Sequence, residues 1–156
     1  MNSSTVETAF RRLGELVEYP TDIELFLVGG AAAMLTGVLP PRRTTTDCDV
    51  MNYAPERAMS VVESAADKVA AELDLAPGWL NSDVQMRIDT LPDGWQSRRV
   101  TIDTSGTLRV FAASRPDLIA MKVIAGRPQD IEDLQAMKVR RDEVEFVRSH
   151  LSTLNK

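Results

Sequence analysis

Apolar side chains recur at helical spacing near the start of the chain, where Val6, Phe10, Leu13 and Val17 share one face. Ser4-x-x-Glu7 is a capping-box pattern, so an amphipathic helix is predicted to about Val17, its apolar face covering a sheet. Tyr19-Pro20-Thr21-Asp22 breaks it. Ile23 to Val28 reads IELFLV, an apolar run that predicts a first strand. Gly29-Gly30 follows. Ala31 to Thr36 then predicts a short helix whose small residues let it sit close to the sheet, and it ends near Gly37. A Pro-Pro-Arg-Arg loop leads to Asp47-Cys48-Asp49, which opens a second strand running to Met51.

Pro55 suits a first helical position, and Met59, Val62, Ala66, Val69 and Leu73 make the buried stripe of the helix it starts. Residues 76–83 read as a loop or turn anchored in the core by Trp79, with Asn81 as an alternative nucleotide contact. Leu91-Pro92-Asp93-Gly94 is a turn signal. Arg98 to Asp103 and Leu108 to Ala112 predict two strands of a hairpin, joined by Thr104-Ser105-Gly106-Thr107. Ser114-Arg115-Pro116-Asp117 opens a helix with Leu118, Met121 and Ala125 turned inward. Gly126-Arg127-Pro128 ends that helix and begins the next. In a last helix, Asp142 to Leu154, the residues Val144, Val147, Leu151 and Leu154 share a face that closes the domain or meets another subunit.

Composition narrows the setting. A chain of 156 residues suits one domain, spanning 1–156, with a substantial core. The absence of any run of about 18 apolar residues argues against a membrane span. The opening MNSSTVETAF lacks the basic-then-apolar order of a signal peptide, so a cytoplasmic protein is expected. One cysteine rules out an internal disulfide, and one cysteine with one histidine, His150, makes a structural zinc site untenable. A net charge of -5 argues against a protein that coats nucleic acid. The arginine pairs Arg11-Arg12, Arg98-Arg99 and Arg140-Arg141 read as solvated charge. Arg42-Arg43 differs, because its loop runs straight into the two aspartates, where an arginine would meet a triphosphate bidentately.

The candidate chemistry lies in that second strand. Alternation puts Asp47 and Asp49 side by side, with Cys48 and Val50 on the opposite face. Two carboxylates held together repel unless a cation lies between them or one takes a proton. A Gly-Gly turn into a helix N-terminus offers backbone amides to an anion. A metal-holding carboxylate pair beside a phosphate cradle is what phosphoryl transfer requires. Cys48 reads as a small buried hydrophobe rather than a nucleophile, having no histidine near it in sequence. Walker-type and Gly-x-Ser-x-Gly motifs are absent from the sequence, so P-loop and hydrolase mechanisms have no support.

Gly29-Gly30, Arg43-x-Thr45-x-Asp47-x-Asp49 and the later Lys122 with Arg127-x-x-Asp130-x-x-Asp133 resemble the nucleotidyltransferase superfamily with the DNA-polymerase-β-like fold. The resemblance is nearest to the minimal bacterial branch that includes the AbiEii-type toxins. Gly30 stands where many members have Ser, so that hydroxyl is missing from the phosphate site. The resemblance implies an α/β (α+β) fold, a small mixed sheet flanked by helices. It implies magnesium on Asp47 and Asp49, nucleotide contacts from Gly29, Gly30, Arg43, Thr45 and Lys122, and catalytic roles for Lys122 and Asp130, with Asp133 buttressing. It also implies transfer from a nucleoside triphosphate to transfer RNA or a protein, as the toxin of a toxin–antitoxin pair with a cognate antitoxin.

Each late residue has a second reading. Asp103 either supplies the third carboxylate that the superfamily places on a later strand or simply opens a turn. Lys122 either reaches the cleft to offset phosphate charge or snorkels at the rim of an apolar face. Asp130 and Asp133 are also favourable at a helix N-terminus without any function. Two alternatives to an enzyme remain: a nucleotide-binding regulatory module, and a noncatalytic partner protein. Asp47, Asp49 and Lys122 together favour the enzyme.

Overall fold

In the computed structural model, which describes residues 1–40, 44–83 and 88–154, the apolar run Ile23–Val28 forms β1 at the centre of a five-stranded sheet. Ile23, Leu25, Phe26, Leu27 and Val28 are all buried, as a strand covered on both faces demands. β1 pairs antiparallel with β2 (Cys48–Ala54) on one side and parallel with β5 (Leu108–Ala112) on the other. β3 (Leu80–Asn81) adds in parallel to β2, and β4 (Val100–Ser105) closes the far edge antiparallel to β5, giving the order β3-β2-β1-β5-β4. The sheet is mixed and flanked by helices, the predicted fold class.

α1 (Ser3–Leu16) buries Val6, Phe10 and Leu13, and Val17 just beyond it is buried too. Its cap differs from the capping-box expectation. Asn2, not Ser4, is the N-cap, accepting from the Thr5 N–H at 2.9 Å, so the helix begins two residues earlier than that box implies. α2 (Gly29–Leu35) buries four successive residues, Ala31 to Met34, which only a run of small side chains allows so near the sheet. A 3-10 turn, Glu56–Ala58, separates Pro55 from α3 (Met59–Leu73), so Pro55 precedes the helical segment rather than starting α3. The α3 stripe runs through Val62, Ala65, Ala66, Val69 and Ala70. Trp79 is the anchor expected of it: fully buried, its Nε1–H donates to the Ala66 carbonyl at 2.9 Å and its ring meets Phe10 edge-on. The loop reading of 76–83 missed β3, a strand too short to show alternation. The hairpin strand also begins later than predicted. Trp95–Arg98 is a short helix, α4, and β4 starts at Val100.

α5 (Arg115–Ala125), α6 (Pro128–Met137) and α7 (Arg141–Leu154) complete the fold. On α7, Val147 is buried, while Val144 and Leu154 are exposed, so the predicted face is only partly used. No helix among the described residues is long and apolar enough to cross a membrane. Buried Glu143 ties α7 to α5. It accepts from Arg115 Nε at 2.6 Å and from the Arg140 backbone N–H at 2.9 Å. The Arg115 hydrogen bond is the main reason that its carboxyl lies below the usual range, burial pulling the other way. A depressed carboxylate pKa contributes stability above the unfolded value, and that contribution is lost as pH falls through the folded one. Glu143→Gln is therefore expected to lower unfolding free energy by about 2–3 kcal/mol at pH 7, with the gap narrowing below about pH 4. Urea unfolding at pH 7 and pH 3 measures both.

Candidate functional site

Asp47 and Asp49 stand half-buried at the head of β2, while Cys48 and Val50 between and beyond them are buried on the other face. The alternation read from sequence therefore holds. Burial pushes the Cys48 thiol up to about 12, with the two flanking carboxylates adding to the effect, so it is no nucleophile. Asp49 lies opposite Val28 in the β1–β2 ladder, next to the turn into α2. Gly29 in that turn has φ +76°, and a Cβ on it would sit 2.9 Å from Asp49 Oδ2. Conformation and space both demand glycine here. A Cβ on Gly30 would come 3.9 Å from Thr45 Oγ1. The Thr45 hydroxyl donates to the Asp47 carbonyl at 2.8 Å, and the Thr45 N–H donates to the Met1 carbonyl at 2.9 Å. Gly29, Gly30, Thr45, Asp47 and Asp49 thus come together. Arg43 lies outside the described residues.

β3 brings a further residue. Asn81 pairs in register with Asp49, and its Nδ2 donates to Asp47 Oδ2 at 3.2 Å. Its Oδ1 accepts from the Asp83 backbone N–H, also at 3.2 Å. Asp49 has a pKa above the ordinary carboxylate value. Burial is the first cause and the Asp47 charge the second, opposed by the Asn81 hydrogen bond and the charge of Arg127, with Asp83 raising it slightly further.

Arg127 was not among the expected site residues, although its pairing with Asp130 was visible in the Arg-x-x-Asp spacing. Asp130 Oδ2 accepts from Arg127 Nε at 2.7 Å and from its backbone N–H at 3.1 Å, closing the first turn of α6. The rest of the Arg127 side chain is exposed, and its charge is felt at Asp49. Burial raises the Asp130 pKa, but the Arg127 hydrogen bonds and the charges of Arg127 and Lys122 outweigh it, and the net shift is downward.

Lys122 has its ion partners within the chain. Its ammonium is buried, 2.7 Å from Asp133 Oδ2 and 3.7 Å from Asp130 Oδ1, with Gln129 Nε2 donating to Asp133 Oδ1. The lysine ties α5 to α6. Asp103 lies inside β4, paired with Val110, with β5 and β1 between it and β2, and its carboxylate accepts from the Ser105 hydroxyl at 2.6 Å. Strand order sets it apart from the aspartate pair, and the turn falls later, at Gly106-Thr107. Arg98 and Arg99 are engaged elsewhere, Arg98 with buried Asp117 and Arg99 with Glu24 and the Phe111 ring.

Among the described residues, no group of three or more His, Cys, Asp or Glu side chains is arranged to hold a metal ion. Asp47 and Asp49 offer two hard oxygen donors. That number suits magnesium, which binds through one or two carboxylates and keeps its other positions for water and phosphate.

Two consequences are measurable. A carboxylate pKa raised by folding contributes stability only while protonated, and that contribution is lost as pH rises through the folded value. At pH 7, in the absence of divalent cations, Asp49 therefore costs stability. Asp49→Asn is expected to raise Tm by about 2–4 °C at pH 7, with the gain shrinking in acid, followed by circular dichroism. Lys122→Ala removes the buried ammonium that Asp133 and, more distantly, Asp130 share, and is expected to cost about 3–5 kcal/mol in urea unfolding.

The model of the DUF6036 family, described as a nucleotidyltransferase of unknown function, matches residues 4–151. No curated protein and no solved structure gives a significant match. The match runs from α1 through most of α7 and takes in Gly29, Asp47, Asp49, Asn81 and Arg127. The chain belongs to this nucleotidyltransferase family.

Proposed function

We propose that the chain transfers a nucleotide from a nucleoside triphosphate to an acceptor hydroxyl, with magnesium held by Asp47 and Asp49. One contrast carries this reading. Buried Asp117, Asp130, Asp133 and Glu143 each have an arginine or lysine partner within 2.7 Å. Among the described residues, Asp47 and Asp49 have no such ion pair, although burial and mutual repulsion already raise the Asp49 pKa. A chain that compensates its fully buried carboxylates leaves this half-buried pair for a cation from outside.

Bound magnesium supplies positive charge that offsets the triphosphate and holds it in line. The chain's own groups do the rest. Gly29 leaves room beside Asp49, and the first-turn amides of α2 lack intrahelical partners, so they are free to meet phosphate oxygens. Arg127, held by Asp130, presents its guanidinium on the same side as Asp49, suited to charge on the leaving pyrophosphate. The acceptor oxygen forms its bond to the α-phosphorus as the bond to pyrophosphate breaks, and the hydroxyl proton passes to solvent or to a nearby carboxylate.

The likeness to AbiEii-type toxins supports a role in a toxin–antitoxin pair, restrained by a cognate antitoxin. The charge distribution favours a protein hydroxyl over transfer RNA as acceptor. RNA binding draws on a basic strip, and Arg98, Arg99 and Lys122 are each paired at separate places in the fold.

Titration calorimetry with each of the four ribonucleoside triphosphates tests the reading. The expected result is magnesium-dependent binding that disappears in Asp49→Ala. No binding to any triphosphate by the folded wild-type protein would overturn it in favour of a noncatalytic partner.

A further inference from the structure

Asn81 is the third polar side chain at the aspartate pair, and its orientation is fixed from both ends. Nδ2 donates to Asp47 Oδ2 at 3.2 Å, and Oδ1 accepts from the Asp83 backbone N–H at 3.2 Å. Rotating the amide by a half-turn would set its oxygen against the Asp47 carboxylate and its NH2 against the Asp83 N–H, losing both bonds. The group therefore meets the pair with N–H donors, which repel a cation and hold a carboxylate. Its backbone is equally constrained, because Asn81 is in register with Asp49 on the two-residue strand β3. The buried Trp79 indole, bonded to Ala66, fixes the residues just ahead of it.

Charge completes the argument. Asp47 and Asp49 bring two negative charges, enough to balance one divalent cation. A second would need another anionic ligand on the pair's own side. Asn81 occupies that position with a neutral amide. Asp83 follows it, and its charge is weakly felt at Asp49, but its carboxyl group is exposed and the bond to Asn81 uses its backbone. Arg127, whose positive charge is also felt at Asp49, opposes a second cation.

We propose that Asn81 is a positioning residue that holds Asp47 and limits the site to one divalent cation, where an aspartate at the same position would admit two. This rests on the reading of Asp47 and Asp49 as cation ligands. The test separates the two claims by counting bound Mn2+, which shares magnesium's preference for carboxylate oxygen, through loss of the free-ion spectrum in electron paramagnetic resonance. The proteins are wild type, Asp49→Ala, Asn81→Asp and Asn81→Ala, each checked for folding by circular dichroism.

The expected result is one Mn2+ on wild type, none on Asp49→Ala and two on Asn81→Asp. Asn81→Ala should keep one ion with affinity weakened about tenfold, the usual scale for removing a group that orients a ligand. Two ions on wild type, or one on Asn81→Asp, would overturn the role of Asn81 while leaving the aspartate reading intact. No ion on folded wild type would overturn the aspartate reading and this inference with it. If Asn81→Asp does not fold, Asn81→Ala decides: affinity equal to wild type overturns the proposal.

Discussion

The close approach of Gly29 to Asp49 is the constraint on which the site depends. A single added carbon at Gly29 would lie 2.9 Å from a carboxylate oxygen. The turn after β1 and the head of β2 are therefore fitted to each other across one glycine. The antiparallel β1–β2 ladder sets that fit, since Val28 faces Asp49 in register. A slip of one residue would send both aspartates into the core and Cys48 to the surface. The apolar density of β1 and the burial of Cys48 and Val50 oppose such a slip with every side chain they commit to the interior.

A second layer of charge lies behind the cleft. Lys122 joins Asp133 and Asp130, and Asp130 in turn holds Arg127, whose charge reaches Asp49. A buried ion pair seldom adds net stability, but it fixes geometry, because breaking it strands a charge. Here it fixes the start of α6, and with it the exposed Arg127 guanidinium whose charge is felt at Asp49. Lys122 is thus linked to Arg127 through the carboxylate they share, Asp130.

Much of this was legible in the sequence, and the misses have physical causes. Period-two alternation at Asp47-Cys48-Asp49 and the turn demanded by Gly29-Gly30 are local properties, so they could be read directly. Trp79 as a core anchor followed from its size. The two residues of β3 carry no periodic signal, and so Asn81 beside Asp47 could be seen only once β3 had paired with β2. The place of Asp103 was hidden for a related reason. Its position on a strand was legible, but the strand order β3-β2-β1-β5-β4 depends on which edges find partners, a non-local outcome. The partners of Lys122 were hidden because sequence cannot tell whether a lysine in an apolar helix finds its anions inside the fold or on a substrate.

That last ambiguity bears on how the cleft is charged. Arg98, Arg115, Arg127 and Lys122 are all committed to carboxylates of the same chain. Of these, Arg127 alone keeps most of its side chain exposed, with 75% of it accessible. An acidic protein with these four cations committed internally is poorly suited to hold a polyanion by broad attraction. It can hold one only where a metal ion converts two carboxylates from a repulsive pair into a binding surface. Phosphate binding at this site should therefore follow the divalent cation rather than the net charge of the protein. On the proposed reading, the carboxylate pair that weakens the fold without a metal is what would make it selective for a metal-bearing ligand.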